Sequence, residues 1–167
     1  MKTELTHKKL VKLAAKWLAK KYPVVVTEIA TEGEEPDAIG FNGRESCLIE
    51  CKASRADFMT DAKKPSRRPG RKALGSLRYY LVEDGLINVD DLPPAWGLLV
   101  VRYGIVIRDH FPHALHGQAR DMQAESMILL SLIRRIGQKT PQGVSIRCYT
   151  INTHNRTTLG VKVDEPR

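Results

Sequence analysis

Two short stretches decide the fold, Pro36-Asp37 and Glu50-Cys51-Lys52, and both lie on β-branched, apolar segments. Between them stands Asn42-Gly43-Arg44-Glu45, where a two-residue loop with glycine first is typical of a type II′ hairpin turn. With the loop at Gly43-Arg44, Asp37 faces Glu50 across the hairpin, and directly opposed Cβ atoms lie roughly 4.5–5.5 Å apart. Lys52 falls on the same side, because side chains alternate along a strand.

The elements around this hairpin predict an α/β fold in the order αβββαβ, with a mixed central sheet flanked by helices and a further C-terminal helix. Helices are predicted over residues 3–21, 54–63 and 121–136, and strands over 24–29, 37–41, 46–53, 77–82, 97–102, 105–107 and, weakly, 145–151. We expect one domain over 1–167, with its core in 1–107 and an extension in 108–167.

The charge is strongly basic and unevenly distributed. Among the 167 residues, 27 Lys and Arg stand against 19 Asp and Glu, for a net charge of +8. Residues 1–22 carry +6, residues 23–62 carry −6, and residues 63–72 carry +6. An acidic centre can hold a metal ion, and basic flanks can contact the phosphate backbone on either side of it. We therefore expect a nucleic acid partner.

Other classes of protein fit the sequence less well. No apolar run approaches the roughly 18–20 residues that span a bilayer, and the lysine-rich start lacks the apolar segment of a signal peptide, so we expect a cytoplasmic protein without a membrane partner. The three cysteines have no metal-ligand spacing and are expected to be reduced thiols.

The hairpin also predicts a metal site. If Glu28 pairs with Asp37 on the preceding strand, three carboxylates converge with only the Lys52 ammonium beside them. Such a cluster repels itself unless a divalent cation neutralises it, and oxygen ligands with waters to spare suit Mg²⁺ or Mn²⁺. The competing interpretation is a turn-capping Asp37 and an exposed ion pair between Glu50 and Lys52.

At these residues the chain resembles the PD-(D/E)xK nuclease superfamily, which has a restriction-endonuclease-like fold, and in particular its small MmcB-like DNA-repair and phage-type members. The similarity covers about residues 5–107 and rests on these segments: 27–29, 36–39, 49–58, Asp61, 78–81 and 97–99. It implies metal ligation by Asp37, Glu50 and the Cys51 carbonyl, with Lys52 beside the attacking water. Glu28 matches an acidic position of the site, and Asp57 and Asp61 match acidic positions on the following helix.

The basic segment after that helix is longer than in those relatives, and its six cations are expected to contact phosphates: Lys63, Lys64, Arg67, Arg68, Arg71 and Lys72. Arg78 and Tyr80 are expected to support the cleft. The resulting hypothesis is a Mg²⁺- or Mn²⁺-dependent DNA endonuclease, with DNA favoured over RNA, that acts in repair, recombination or the processing of phage or mobile-element DNA. The alternative is a nucleic-acid-binding module or complex subunit of the same fold that does not cleave alone, and a homodimer or larger complex is compatible with either.

Overall fold

The computed structural model describes residues 5–29, 35–68, 70–112 and 120–136, and shows a mixed α/β fold. Its α-helices are α1 (His7–Leu18), α2 (Arg55–Asp61) and α3 (Met122–Ile136). Its strands are β1 (Val24–Thr27), β2 (Ala38–Phe41), β3 (Ser46–Lys52), β4 (Leu77–Glu83), β5 (Gly97–Arg102) and β6 (Ile105–His110). Short 3₁₀ helices cover Pro65–Arg67 and Val89–Asp91.

The chain divides into two compact units, residues 1–125 and 126–167. All strands and the first two helices lie in the first unit, whereas the second contains most of α3 among its described residues. The strand predicted over 145–151 lies outside the described residues, and the expected single domain over 1–167 stays a prediction. Within the described part of the chain, no helix combines the length and the apolar character that crossing a bilayer requires.

The six strands form one mixed sheet in sequence order from β1 to β6. Strands β1, β2 and β3 form an antiparallel meander, which contains the predicted hairpin as β2 and β3. Strand β4 then lies parallel to β3, since α2 and the 3₁₀ turn carry the chain back to the other end of the sheet. Strand β5 is parallel to β4, and β6 returns antiparallel.

The predicted register of the hairpin is confirmed. Ala38 pairs with Ile49, so Asp37 and Glu50 are the next positions along the same two strands. Gly43 has φ 84°, as the predicted two-residue turn requires of its first residue. On the other side, Glu28 donates its backbone N–H to the Asp37 carbonyl at 3.2 Å, which continues the expected pairing of β1 with β2.

Helix α1 covers one face of the sheet. Leu10, Ala14 and Leu18 recur at helical spacing and are fully buried in a cluster with β3 residues Cys47, Ile49 and Cys51. The helix begins later than predicted because the Thr6 hydroxyl accepts the Lys9 N–H and caps it. Because α1 takes the odd-numbered face of β3, the even-numbered residues, including Glu50 and Lys52, face the opposite side.

Helix α2 lies on that opposite side and ends earlier than predicted. Ser54 caps its start, since the Ser54 hydroxyl accepts the Asp57 N–H, and the helix ends at Asp61 rather than near residue 63. Phe58 is fully buried and meets the Tyr80 ring edge-on, with centroids 4.9 Å apart. This contact packs α2 against β4 on the face that carries Glu50.

Candidate active site

Three carboxylates surround one ammonium group at the carboxyl end of β3. Lys52 Nζ lies 3.2 Å from Glu50 Oε2, 3.5 Å from Asp61 Oδ1 and 4.0 Å from Asp37 Oδ2. We call these three acidic residues and Lys52 the carboxylate cluster. Glu50 and Lys52 point to one face because they are two residues apart on a strand, and Asp61 reaches them from the last residue of α2.

Asp37 is held at both carboxylate oxygens. Its Oδ2 accepts the Cys51 backbone N–H at 2.7 Å, and its Oδ1 lies 3.1 Å from Nε2 of His7 at the start of α1. The first contact ties the predicted Pro36-Asp37 segment directly to the Glu50-Cys51-Lys52 strand. The Cys51 side chain is buried on the α1 face, so only its backbone belongs to the site.

Arg67 requires a correction, because the sequence predicts it as a phosphate-contacting surface residue. Its side chain is only 1% exposed and enters the carboxylate cluster, where Nε donates to Asp61 Oδ2 at 2.9 Å. Its Nη2 lies 3.2 Å from Asp61 Oδ1 and 3.2 Å from Glu50 Oε1. The guanidinium carbon also lies over the Trp96 ring, 4.8 Å from its centroid, at cation–π distance.

Asp61 is the most heavily bonded carboxylate of the cluster. Besides Arg67 and Lys52, it receives the Tyr80 hydroxyl on Oδ2 at 2.8 Å and Lys64 Nζ on Oδ1 at 2.6 Å. Burial alone would raise the pKa of Asp61, but the bonds from Arg67 and Lys64 together with the charge of Lys52 hold it well below its usual value. Asp61 is therefore an ionised anchor for the surrounding cations.

The charge balance differs from the one expected from the sequence. The sequence predicts that Glu28, Asp37 and Glu50 converge beside a single ammonium, but the Glu28 side chain is exposed and Asp61 takes its place. Three cationic side chains lie among the acidic ones: Lys52, Lys64 and Arg67. Protein cations thus match the acidic charges one for one. The need for a metal can no longer be argued from uncompensated charge.

Glu50 nevertheless keeps one oxygen unsatisfied. Its side chain is 3% exposed, and Oε1 accepts no hydrogen bond even though Arg67 Nη2 lies at ion-pair distance. Burial raises the pKa of Glu50 to about 7, although the positive charges of Arg67 and Lys52 act to lower it. Oε1 is therefore compensated by the charge of Arg67, while its hydrogen-bonding capacity stays unused.

Lys52 remains charged in this environment. Burial alone would lower its pKa, but the nearby carboxylates of Glu50, Asp61 and Asp37 outweigh that effect and raise it. At neutral pH Lys52 is therefore a hydrogen-bond donor and a fixed positive charge rather than a base.

Tyr80 lies in the site as predicted, while Arg78 does not. Tyr80 pairs with Glu50 across the parallel strands β3 and β4, and its ring stacks on Trp96 with centroids 4.4 Å apart. The Arg78 guanidinium instead donates to the carbonyls of residues 73, 74 and 75, where it holds the loop before β4. The prediction that Arg78 supports the cleft is therefore wrong, and Arg78 stabilises that loop instead.

The other predicted residues lie on the surface. Asp57 is exposed in the first turn of α2, and Glu28 is exposed with φ 50°, joined to Asp37 only through its backbone among the described contacts. Four cations of the basic segment are exposed and remain candidates for phosphate contact: Lys63, Arg68, Arg71 and Lys72. Lys64 is half exposed and paired with Asp61.

Sequence reasoning missed His7 and Trp96. Neither belongs to a motif, because each reaches the site from an element distant in sequence. The His7 contact joins the first residue of α1 to a residue 30 positions away, and Trp96 lies just before β5. No local signal could have found either residue.

The predicted metal site has few ligands in place. Among the described residues, no group of three or more His, Cys, Asp or Glu side chains is arranged to hold a metal ion. Asp37 and Glu50 bring carboxylate oxygens to one end of β3, and two such ligands suit an ion that keeps several waters, as Mg²⁺ commonly does. The Cys51 carbonyl stays a predicted ligand.

Comparison with known proteins adds evidence on the fold. No family model matches the chain, and no curated protein matches it. A solved protein of unknown function from Silicibacter pomeroyi is similar in structure, with a TM-score of 0.56 and 22% sequence identity over 86% of this chain and 98% of that chain. At this identity the likeness supports the fold alone.

Proposed function

We propose that the protein is a metal-dependent nuclease of the PD-(D/E)xK type, with the restriction-endonuclease-like core, and that DNA is its substrate. The observation that carries the proposal is the convergence of Asp37, Glu50 and Lys52, with one buried Glu50 oxygen left without a hydrogen-bond donor. The α1–β1–β2–β3–α2–β4 order and the register of the hairpin support it.

Each residue has a role that follows from its surroundings. A Mg²⁺ or Mn²⁺ ion held by Asp37 and Glu50 would polarise the scissile phosphate and lower the pKa of a bound water. Asp37 is preset for this task because the Cys51 N–H fixes its Oδ2. Lys52, charged at neutral pH, orients the attacking water and offsets the negative charge that develops on the phosphate.

The basic segment supplies a path for the phosphate backbone to reach the site. Lys64 touches Asp61 of the carboxylate cluster, and the exposed cations beside it on the chain are Lys63, Arg68, Arg71 and Lys72. Each contact between such a cation and a phosphate releases counterions and gives salt-dependent, sequence-independent affinity. The net charge of +8 favours the same partner.

A second candidate function is nucleic acid binding without independent cleavage. The observation that favours it is the match between the three carboxylates and the three cations, Lys52, Lys64 and Arg67, which stabilises the cluster without any metal. Such a chain would bind nucleic acid through the same surface and depend on a partner for catalysis.

Cleavage by the purified chain separates the two candidates. We would incubate it with linear, nicked, flapped and single-stranded DNA and with RNA, in Mg²⁺, Mn²⁺ or EDTA, beside the matched Lys52→Ala variant. Divalent-dependent cleavage that is lost in Lys52→Ala supports the nuclease. Salt-dependent binding with no cleavage of any substrate supports the binding module and contradicts the nuclease.

A further inference from the structure

Three aromatic rings surround Arg108 of β6 on the side of the sheet that α1 covers. The Arg108 guanidinium carbon lies 5.0 Å from the ring centroid of Phe111, 5.6 Å from that of Trp17 and 6.0 Å from that of Tyr79. Trp17 and Tyr79 also meet edge-on, with centroids 5.7 Å apart. These distances are within cation–π range, so the rings hold the guanidinium in place. We call Arg108, Trp17, Tyr79 and Phe111 the aromatic platform.

The aromatic platform is partly open to solvent. Arg108 is exposed, and the Phe111 side chain just after β6 is 51% exposed. Trp17 is half-buried, whereas Tyr79 is buried and forms the base of the platform. A ligand at this surface therefore meets a flat apolar ring and a positive charge side by side.

Helix α1 extends the positive charge from the aromatic platform to the candidate active site. The helix contains four lysines and no acidic residue, and three of these lysines share an exposed face: Lys9, Lys12 and Lys16. Trp17 lies at one end of α1, and His7 at the other end contacts Asp37. At 1.5 Å per residue, the helix from His7 to Trp17 spans about 15 Å. The lysine face thus connects the platform with the edge of the carboxylate cluster.

The chemistry of this surface favours one class of ligand. Lysines along a helix attract a chain of negative charges, and the aromatic platform attracts flat rings. A nucleic acid strand carries both. In a duplex the bases are paired and stacked on each other, whereas an unpaired strand leaves their faces free to stack on aromatic side chains or on arginine. Proteins that bind single strands combine a basic track with aromatic rings in this way.

We propose that the aromatic platform and the lysine face of α1 bind an unpaired DNA strand, so that the candidate active site acts on DNA with a single-stranded segment, such as a flap or an overhang. The inference rests on the proposed function, because it names the form of DNA that the same site takes. Bases stack on Phe111 and Arg108, and the α1 lysines contact the phosphates that lead towards Asp37.

Fluorescence anisotropy in EDTA tests the inference without any cleavage. We would titrate a labelled single strand, and the duplex of the same sequence, with the full chain. The wild type should bind the single strand more tightly than the duplex. Phe111→Leu keeps an apolar side chain but removes the ring, so it should bind the single strand about 5- to 100-fold more weakly and the duplex as wild type does. The matched Phe111→Trp variant keeps a ring and should bind the single strand as tightly as wild type.

Two more variants test the charges of the same surface. Arg108→Gln should also weaken binding of the single strand, and it decides the test if the Phe111 variants do not fold. Replacing Lys9, Lys12 and Lys16 by Gln should reduce the slope of log affinity for the single strand against log salt by up to about 2. An unchanged affinity in folded Arg108→Gln, or an unchanged slope in the lysine variant, would contradict the inference.

The outcomes separate the inference from the proposed function. Equal affinity of the wild type for the two forms of DNA, or an equal loss in Phe111→Leu and Phe111→Trp, would overturn the inference. Divalent-dependent cleavage that is lost in Lys52→Ala would still support the nuclease in that case. A wild type that binds neither form of DNA would leave the aromatic platform to a protein partner and would contradict the proposed function as well.

Discussion

The substitution Glu50→Gln should stabilise the metal-free protein at alkaline pH, although it removes a residue of the proposed site. Burial raises the pKa of Glu50 from 4.5 to about 7, so the folded state holds the proton more tightly than the unfolded chain does. Below pH 4.5 the carboxyl is protonated in the folded and the unfolded state, and the stabilisation that the folded state gains from binding the proton more tightly is fully present. It is lost as the pH rises towards 7, because the folded protein must then bury a charge.

The magnitude follows from the two pKa values. Their difference corresponds to about 3 kcal/mol, at about 1.4 kcal/mol for each pH unit. Glutamine keeps the shape of the side chain and never ionises, so the variant should exceed the wild type by about 3 kcal/mol at pH 8 and match it near pH 4. With a urea m-value of about 1–3 kcal/mol per molar, the midpoint should differ by about 1–3 M at pH 8.

The assay is urea unfolding in EDTA at several pH values between 4 and 8. Glu45→Gln is the matched control, because hydrogen bonds from Lys21 and then Tyr22 lower the pKa of Glu45. The change in stability with pH therefore has the opposite sign at Glu45. Its stabilisation is present above the ordinary pKa and lost at low pH, so this variant should be the weaker protein at pH 8. A Glu50→Gln protein that is less stable than wild type at pH 8, or a difference that does not change with pH, would refute the reasoning.

Three further predictions test the metal, the basic segment and the buried hydrogen bonds. Mg²⁺ or Mn²⁺ should raise the thermal midpoint of the wild type, and Asp37→Asn should lose most of that rise; an equal rise in both would place the ion elsewhere. Replacing Arg68, Arg71 and Lys72 by Gln should weaken DNA binding for all sequences and reduce the slope of log affinity against log salt by up to about 2.7. An unchanged slope would point to another basic surface, such as the α1 lysines Lys9, Lys12 and Lys16. Tyr80→Phe removes a buried donor to a carboxylate and should cost about 1–3 kcal/mol in denaturant unfolding; full stability would show that this bond contributes little.

The hairpin could be predicted because its signals are local. Glycine first in the Gly43-Arg44 loop sets the turn, and the two-residue period of the strands then places Asp37 opposite Glu50 with Lys52 on the same face. Helix α1 followed in the same way from its apolar spacing. The predicted and the observed helix differ only at their ends. At the N-terminus the Thr6 cap, rather than the apolar pattern, decides where the first turn begins.

The surroundings of the carboxylate cluster could not be predicted because they depend on tertiary contacts. Arg67 belongs to a segment of six cations, and nothing in that pattern distinguishes the one that is buried. What buries it is the combination of Asp61, Glu50 and the Trp96 ring, which come from three separate elements. The argument that uncompensated carboxylates require a metal failed for the same reason. The sequence pattern predicts that Lys64 and Arg67 face the solvent, whereas both pair with acidic residues of the site.

The central claim is that Asp37, Glu50 and Lys52 act as one metal-dependent cleavage site. The most direct test is the single-turnover rate at which the chain nicks supercoiled plasmid DNA in Mn²⁺, measured for the wild type, Asp37→Asn, Lys52→Ala and the double variant. Groups that act as one unit lose activity non-additively, so each single variant should fall by about 10²–10⁴-fold and the double variant scarcely further. Losses that multiply in the double variant, or rates equal to wild type in either single variant, would contradict the claim.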